Sequence, residues 1–187
     1  MNKLKFDSSH VNAIKQAIRD GGDIWYNACL KPVKSKIKSH YRGVKNRCCY
    51  CRRPLRGEFN MVIDIEHVLP QSLYKKYMFS MKNLGIACKR CNMRIKGNNI
   101  DFLNAPFKNN RPFHKENYKL IHPVLDNYSK NLKRIVLEED DLTFIKYTVI
   151  NDSNKGKYTY DFFKLHEFEE DQINKAQGME IVEKYII

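Results

Sequence analysis

Hydrophobic positions change period along the chain, helical near the start and alternating in the middle. Val11, Ile14 and Ile18 recur at helical spacing after Ser8 and Ser9, which can cap a helix, and Gly21-Gly22 ends it. Val33, Ile37 and Tyr41 stand at i, i+4, i+8 after Pro32, with Gly43 as a stop, which predicts a second helix. Met61, Ile63 and Ile65 then alternate with Val62, Asp64 and Glu66, so Met61 to Glu66 reads as a half-buried strand, and Pro70 ends it. A polar stretch rich in Lys and Tyr, Gln71 to Lys82, predicts a loop or short helix. Leu84 and Ile86 suggest a second short strand, and a helix is expected from Cys88 to near Gly97. The predicted order is strand, long loop, strand, helix.

The texture changes beyond Phe102. Pro106, Asn109, Asn110 and Pro112 mark a linker, and strand-like runs follow at Leu132 to Leu137, Leu142 to Ile150 and Lys157 to Leu165. Asn151 to Asn154 and Gly156 supply a turn between the last two. Glu167 to Ile186 reads as a helix with Ile173, Ala176 and Val182 inward and Gly178 as its weak spot. The expected class is α+β. The organisation reads as an N-terminal helical region at 1–43, a core at 44–100 and a C-terminal α+β extension at 101–187. Internal repeats and low-complexity tracts are missing.

Composition narrows the partners. Hydrophobic residues make up 42% and charged residues 29% of 187, ordinary for a globular chain. No apolar run approaches the roughly 20 residues that cross a bilayer, and Met1 to Phe6 lacks the apolar region of a secretory signal. A soluble, cytoplasmic protein without membrane contact is expected. Lys and Arg exceed Asp and Glu by 34 to 21, a net charge of +13, which favours a polyanionic partner such as nucleic acid. A packed helical pair is the preferred reading of the first region, whose Lys31, Lys34, Lys36 and Lys38 could also face phosphates.

The six cysteines change the picture further. Cys48 and Cys51 form one C-x-x-C pair and Cys88 and Cys91 another, and two such knuckles supply the four thiolates that zinc takes tetrahedrally. The intervening stretch makes zinc the closure of a long loop, an advantage for a unit with little core of its own. Cys29 and Cys49 lie outside that spacing and read as free core thiols.

Between and beside the knuckles lie Asp64-Ile65-Glu66-His67-Val68-Leu69-Pro70-Gln71-Ser72, then Asn83-Leu84, then Asn92 to Gly97. Phosphodiester hydrolysis needs a group that deprotonates water, a cation at the leaving oxygen and positive charge around the phosphate. His67 has the intrinsic pKa for the first task. Glu66, Asp64 and the Asn92 amide are hard oxygen ligands suited to Mg²⁺. Arg52, Arg53, Arg56, Lys89, Arg90 and Arg94 are candidate phosphate contacts as a group, with Lys96 added because it shares a helical face with Asn92.

The run from Cys48 to Gly97 resembles the HNH endonuclease family, whose fold is a hairpin followed by a helix around one divalent cation (ββα-metal). Glu66-His67-Val68-Leu69-Pro70 matches the family's acidic residue, catalytic His and following Pro, and Gln71-Ser72 extends the likeness to HNH domains of some RNA-guided nucleases. The resemblance implies His67 as general base, Glu66 as ligand of a catalytic Mg²⁺ or Mn²⁺, Asn83 as the residue that orients the loop, and Asn92 as the second ligand. It also implies a structural role for zinc. Three features depart from the pattern. Glu66 replaces the commoner Asp, so Asp64 on the same strand face joins the candidate ligands. Glu66 and His67 would point oppositely in a regular strand, so an irregular exit near Val68 is expected. Ile95 stands where the family often has Lys, with Lys96 one step later.

Leu120 to Asp126, the later strands and Lys155-Gly156 look like the tails of HNH proteins from bacterial anti-phage systems of the Septu and retron-linked groups, where an ATPase partner restrains or directs the nuclease. His122 and Asp126 belong to the site by that likeness or else form a turn-stabilising pair. The expectation is an endonuclease acting on nucleic acid, DNA ahead of RNA. The alternative is a zinc-knuckle nucleic-acid-binding protein without cleavage.

Overall fold

The computed structural model describes residues 4–44, 46–108, 110–140 and 142–170. It is a mixed α+β chain that divides into two units, Met1–Tyr118 with His122–Asp126, and Lys119–Ile121 with Asn127–Ile187.

The first unit opens with helix α1, Ser8–Asp20. Its cap is Asp7 rather than the expected serines: the Asp7 carboxylate accepts from the His10 backbone N–H and from the Ser9 hydroxyl. These bonds hold that carboxyl well below its usual range. Asp7 takes the position because a carboxylate at N-cap also answers the positive end of the helix. Gly21, at φ 71°, ends α1 as expected. The inward face differs from the expected one. Ala13, Ile14 and Ala17 pack, while Val11 and Ile18 are exposed. Helix α2 covers Lys31–Val44, with Pro32 in its first turn, and continues past Gly43. Val33 and Ile37 are fully buried, sharing a cluster with Leu4, Ala17, Trp25, Leu30, Met78 and Leu84. The N-terminal helices therefore share their core with the hairpin that comes next, across the boundary expected near residue 43.

Strand β1 is Ile63–His67 and strand β2 is Leu84–Cys88, antiparallel, with Ile63 opposite Cys88 and His67 opposite Leu84. β1 starts two residues later than the alternation predicts, because Asn60–Val62 is a tight 3₁₀ turn. It stays regular through His67 and then leaves the sheet through a bend at Val68 and Leu69, the irregular exit expected near Val68. The segment after β2 is a π-helix, Arg90–Lys96, closed by the Gly97 N–H on the Asn92 carbonyl at 2.8 Å. One π turn takes more than four residues, so Cys91 and Lys96, five apart, both face inward.

In the second unit β3, Leu132–Glu139, pairs antiparallel with β4, Leu142–Val149. The strand expected at Lys157 to Leu165 is instead helix α3, Asn154–Phe162. Its Tyr, Thr and Phe content favours a strand, but Ser153 caps a helix by accepting from the Gly156 N–H at 3.1 Å. Tyr158 and Phe162 then stack at i, i+4, and Thr159 and Phe163 turn inward. A Cβ on Gly156 would stand 2.3 Å from the Asn131 carbonyl oxygen, so only glycine lets α3 approach there. Helix α4 covers His166–Glu170, and the rest of the helix expected over Glu167 to Ile186 lies outside the described residues. Ile173, Ala176, Gly178 and Val182 lie outside the described residues. Among the described residues, no helix is long and apolar enough to cross a membrane.

Candidate functional site

The four cysteines of the two knuckles converge. The sulfurs of Cys48, Cys51, Cys88 and Cys91 all lie within 4.8 Å of one another, and every one of these residues is buried. Four sulfurs about 2.3 Å from zinc form a tetrahedron with edges of about 3.8 Å, and Cys51 Sγ to Cys88 Sγ measures 3.8 Å. The set fits zinc. The first knuckle is a turn closed by Arg52 N–H on the Cys48 carbonyl at 3.1 Å, with Arg52 at φ 60°. The Cys49 N–H donates to the Ile86 carbonyl at 2.9 Å, which docks this turn on β2. Cys88 ends β2 and Cys91 sits in the π-helix, so the cluster joins knuckle, hairpin and helix at one point.

Cys29 and Cys49 stay outside the cluster. The Cys49 thiol is pushed well up, chiefly by burial, and Cys29 donates to the Ala13 carbonyl at 3.3 Å.

The two faces of β1 carry different chemistry. Asp64 and Glu66 point toward the π-helix, and Ile65 and His67 point toward the α1/α2 core. Asp64 accepts from Lys89 Nζ and from Asn92 Nδ2, both at 3.1 Å. A carboxylate only accepts here, so the Asn92 NH₂ faces it and the amide oxygen is left for another partner. Glu66 is fully buried. Its Oε1 accepts from Tyr50 Oη at 2.8 Å and pairs with Lys96 Nζ at 3.0 Å, while Oε2 is buried without a hydrogen-bond partner. Burial raises the Glu66 pKa, opposed by Lys96 and by the Tyr50 hydrogen bond. Asp64 and Glu66 thus have separate partners, Asp64 with Lys89 and Asn92, and Glu66 with Tyr50 and Lys96.

His67 is set apart from that group. Trp25 meets its ring edge-on with centroids 4.4 Å apart, and its Nε2 lies 3.0 Å from the Met78 carbonyl. A carbonyl cannot donate, so Nε2 carries the proton and the lone pair is on Nδ1. Burial, with Lys96 and Lys34 nearby, pushes the imidazole down to about 4 against the effect of the Met78 bond. The ring is thus neutral at physiological pH, a weaker base than a free imidazole, and only 6% exposed. Asn83 organises the loop between the strands: its Oδ1 accepts from Leu69 N–H at 2.7 Å, and its Nδ2 donates to the Leu69 and Tyr77 carbonyls at 3.1 and 3.2 Å.

Lys96 requires a correction. It is 2% exposed, and its Nζ donates to the His67 carbonyl at 2.9 Å as well as pairing with Glu66. It is an internal cation rather than a phosphate contact, because the π turn rotates it to the Cys91 side. Lys89 and Arg94 are exposed, and Arg52, Arg53 and Arg90 are half-buried. Arg53 is engaged with Glu58 at 2.9 Å. His122 and Asp126 close a turn, with His122 N–H on the Asp126 carboxylate at 2.8 Å and Asp126 N–H on the His122 carbonyl at 3.1 Å. Spacing and motif did not single out Tyr50 or Trp25. An aromatic inside a C-x-x-C turn and the chain's single Trp were the available signals.

No family model matches the chain. No solved structure matches it either. A curated protein does. The chain is distantly related to the Septu protein PtuB of Bacillus thuringiensis. The two are 23% identical over 165 residues, which cover 88% of this chain and 52% of the relative. The chain therefore spans about half the length of the curated relative it matches.

Proposed function

We propose that this chain is a metal-dependent HNH endonuclease that hydrolyses phosphodiester bonds in nucleic acid, DNA ahead of RNA, as the effector of an anti-phage system with an ATPase partner. The observation that carries the reading is the strand–loop–strand–helix unit pinned by four cysteines, with Asp64 and Asn92 meeting 3.1 Å apart between β1 and the π-helix. The relationship to a Septu protein supports the anti-phage assignment and the ATPase partner.

Zinc would be structural, since four thiolates leave it no open position. Asp64, Asn92 and Glu66 would hold Mg²⁺ or Mn²⁺, which when bound supplies positive charge at the leaving oxygen. His67 accepts the proton of the attacking water at Nδ1. Its neutrality at pH 7 means that no proton has to leave first. Asn83 holds the loop on which this geometry depends, and Lys89 with the exposed arginines draws the phosphate in. The products are 5′-phosphate and 3′-hydroxyl ends. Trp25 covers the His67 ring, which in this state faces the α1/α2 core rather than Asp64 and Glu66, so the reading includes a resting form that substrate or the ATPase partner must open to bring the ring to the metal side.

A second reading, a zinc-knuckle binding protein without cleavage, is favoured by one observation. Lys96 already answers the Glu66 charge, so that carboxylate is stable without a metal. Incubating supercoiled plasmid with Mn²⁺, with and without the ATPase, separates the two. Nicks that DNA ligase reseals, lost in Asn92→Ala at unchanged zinc content, support the nuclease. Salt-sensitive binding without nicks under both conditions supports the second reading.

A further inference from the structure

The turn that leads into β1 holds two large apolar side chains out into solvent. Phe59 is 81% exposed and Met61 82%. The turn between them is anchored from α2. Lys38 Nζ donates to the Asn60 carbonyl at 2.7 Å, and Arg42 donates to Asn60 Oδ1 at 2.7 Å and to the Glu58 carbonyl at 3.1 Å. The Val62 N–H closes the turn on the Phe59 carbonyl at 3.1 Å. Scattered surface apolar residues need no explanation. Two flanking one residue, whose carbonyl Lys38 holds and whose side chain Arg42 holds, form a built projection.

Its surroundings select the occupant. Lys34, Lys38 and Arg42 stand at i, i+4, i+8 on α2, a cationic stripe about 12 Å long. At one end Lys34 lies 5.4 Å over the ring of Tyr26, which is 72% exposed. Toward the other end is the Phe59–Met61 turn held by Lys38 and Arg42, and the Asp64 carboxylate, on which Lys89 rests at 3.1 Å, lies within Coulomb reach of Lys38. Burial lowers the Lys38 amine, Asp64 opposes it, and Lys89 and Arg42 are near enough to lower it further. Ammonium and guanidinium groups carry more donors than these clamps use, three on Lys and five on Arg. A protein-binding core would be depleted of such charge. A row of cations with aromatic and apolar side chains at its ends instead matches a phosphate backbone with bases to stack. A stacked strand rises about 3.4 Å per nucleotide, so the stripe spans at most about three nucleotides, and fewer where a step is opened.

We propose that Phe59 and Met61 form a wedge that enters between bases of a strand whose phosphates follow Lys34, Lys38 and Arg42, which makes single-stranded or locally unstacked nucleic acid the substrate class. The wedge rests on the nuclease reading only for cleavage beside Asp64; binding and unstacking stand without it. Wedges of this kind open a base step and bend the strand. Here the opened step would lie beside Asp64.

The test uses the zinc-loaded full chain in chelator-free buffer without Mg²⁺ or Mn²⁺, so that cutting is excluded while the zinc stays in place, after confirming that zinc content and melting are unchanged. Fluorescence anisotropy is measured on a 20-nucleotide single strand, an intact duplex and a duplex with a three-nucleotide bulge, and 2-aminopurine reports unstacking. The wedge predicts that single-stranded and bulged DNA bind at least about tenfold tighter than intact duplex, the scale of one aromatic stack. It also predicts that 2-aminopurine brightens with wild type, and that F59S/M61S loses both the preference and the brightening. Lys34→Ala should lower the salt slope by about one on every substrate. Equal binding of the three DNAs by wild type, or an unchanged preference in F59S/M61S, overturns the wedge. So does a double variant that binds all three DNAs normally but fails to hold a protein partner. Nicking with Mn²⁺ is read separately. An intact wedge without nicks refutes the nuclease alone, and nicks without a wedge refute this inference alone.

Discussion

Lys96→Met isolates what the buried ammonium does. The side chain is 2% exposed, and its Nζ sits 3.0 Å from the Glu66 carboxylate, 2.9 Å from the His67 carbonyl and 3.3 Å from the Gly97 carbonyl. Met keeps the length and removes the charge, so a fully buried carboxylate remains with only Tyr50 to answer it. Breaking a buried pair in this way costs about 3–5 kcal/mol. In a chain of this size 1 kcal/mol moves the melting point about 2–4 °C, so a fall of roughly 6–20 °C is expected. The double variant Lys96→Met/Glu66→Gln removes the stranded charge and should recover more than half of the fall. The deficit of the single variant should also depend on pH. Burial already raises the Glu66 pKa, and losing Lys96 raises it further. A carboxyl raised in the fold keeps its proton when the unfolded chain has released it. The deficit is therefore smallest below the unfolded carboxyl pKa of about 4.3 and grows as pH rises through the folded value. Differential scanning calorimetry on zinc-saturated protein at pH 4.5 and 7.5 reads both effects. A melting point within about 2 °C of wild type, or a double variant no better than the single, would refute the reasoning.

Asn83→Ala removes two buried hydrogen bonds and one part-buried one around the β1–β2 loop and should cost about 2–4 kcal/mol, with hydrogen exchange accelerating at Leu69 while the zinc cluster stays protected; unchanged exchange there would dismiss Asn83 as the loop's organiser. His67 sits at about 4 against about 6.5 in the unfolded chain. The unfolded chain protonates first as pH falls, so wild type should lose about 3 kcal/mol between pH 6.5 and 4 that His67→Gln does not lose, and parallel melting curves for the two proteins would count against a neutral buried imidazole. Gly156→Ala places a methyl 2.3 Å from the Asn131 carbonyl oxygen, which also accepts from Ile150 N–H at 3.0 Å. Faster amide exchange at Ile150 and a drop of more than about 1 kcal/mol are expected in urea melts, and a neutral variant would contradict the close approach of α3.

The parts of this molecule that read directly from sequence are those where spacing fixes geometry. Two C-x-x-C pairs bring four sulfurs together almost regardless of context, and they do so here. Alternation at Ile63 and Ile65 located β1, and Val33 and Ile37 located the inward face of α2. Met61 continued the alternation but lies in a turn, because periodicity cannot distinguish an apolar residue that is buried from one held out by Lys38 and Arg42. Tyr158, Thr159, Phe162 and Phe163 have strand propensity, yet the Ser153 cap and the contact that only Gly156 permits gave a helix. The site was legible as a list of residues and less so as an arrangement. Lys96 reads as a surface charge in any α-helical projection, and only the π turn carries it to Glu66. Asp64 gained importance and Glu66 became enclosed because the partners that decide this, Lys89, Asn92, Lys96 and Tyr50, are distant in sequence.

The central claim is that the cysteine-pinned hairpin is a nuclease in which His67 is the base. The most direct measurement is the initial rate of plasmid nicking in Mn²⁺ with the ATPase partner present, for wild type, His67→Ala and His67→Gln, each matched for zinc content and melting point. The account predicts nicking by wild type and a loss of about 100-fold or more in both variants. Variants that cut as fast as wild type at equal zinc content would contradict it.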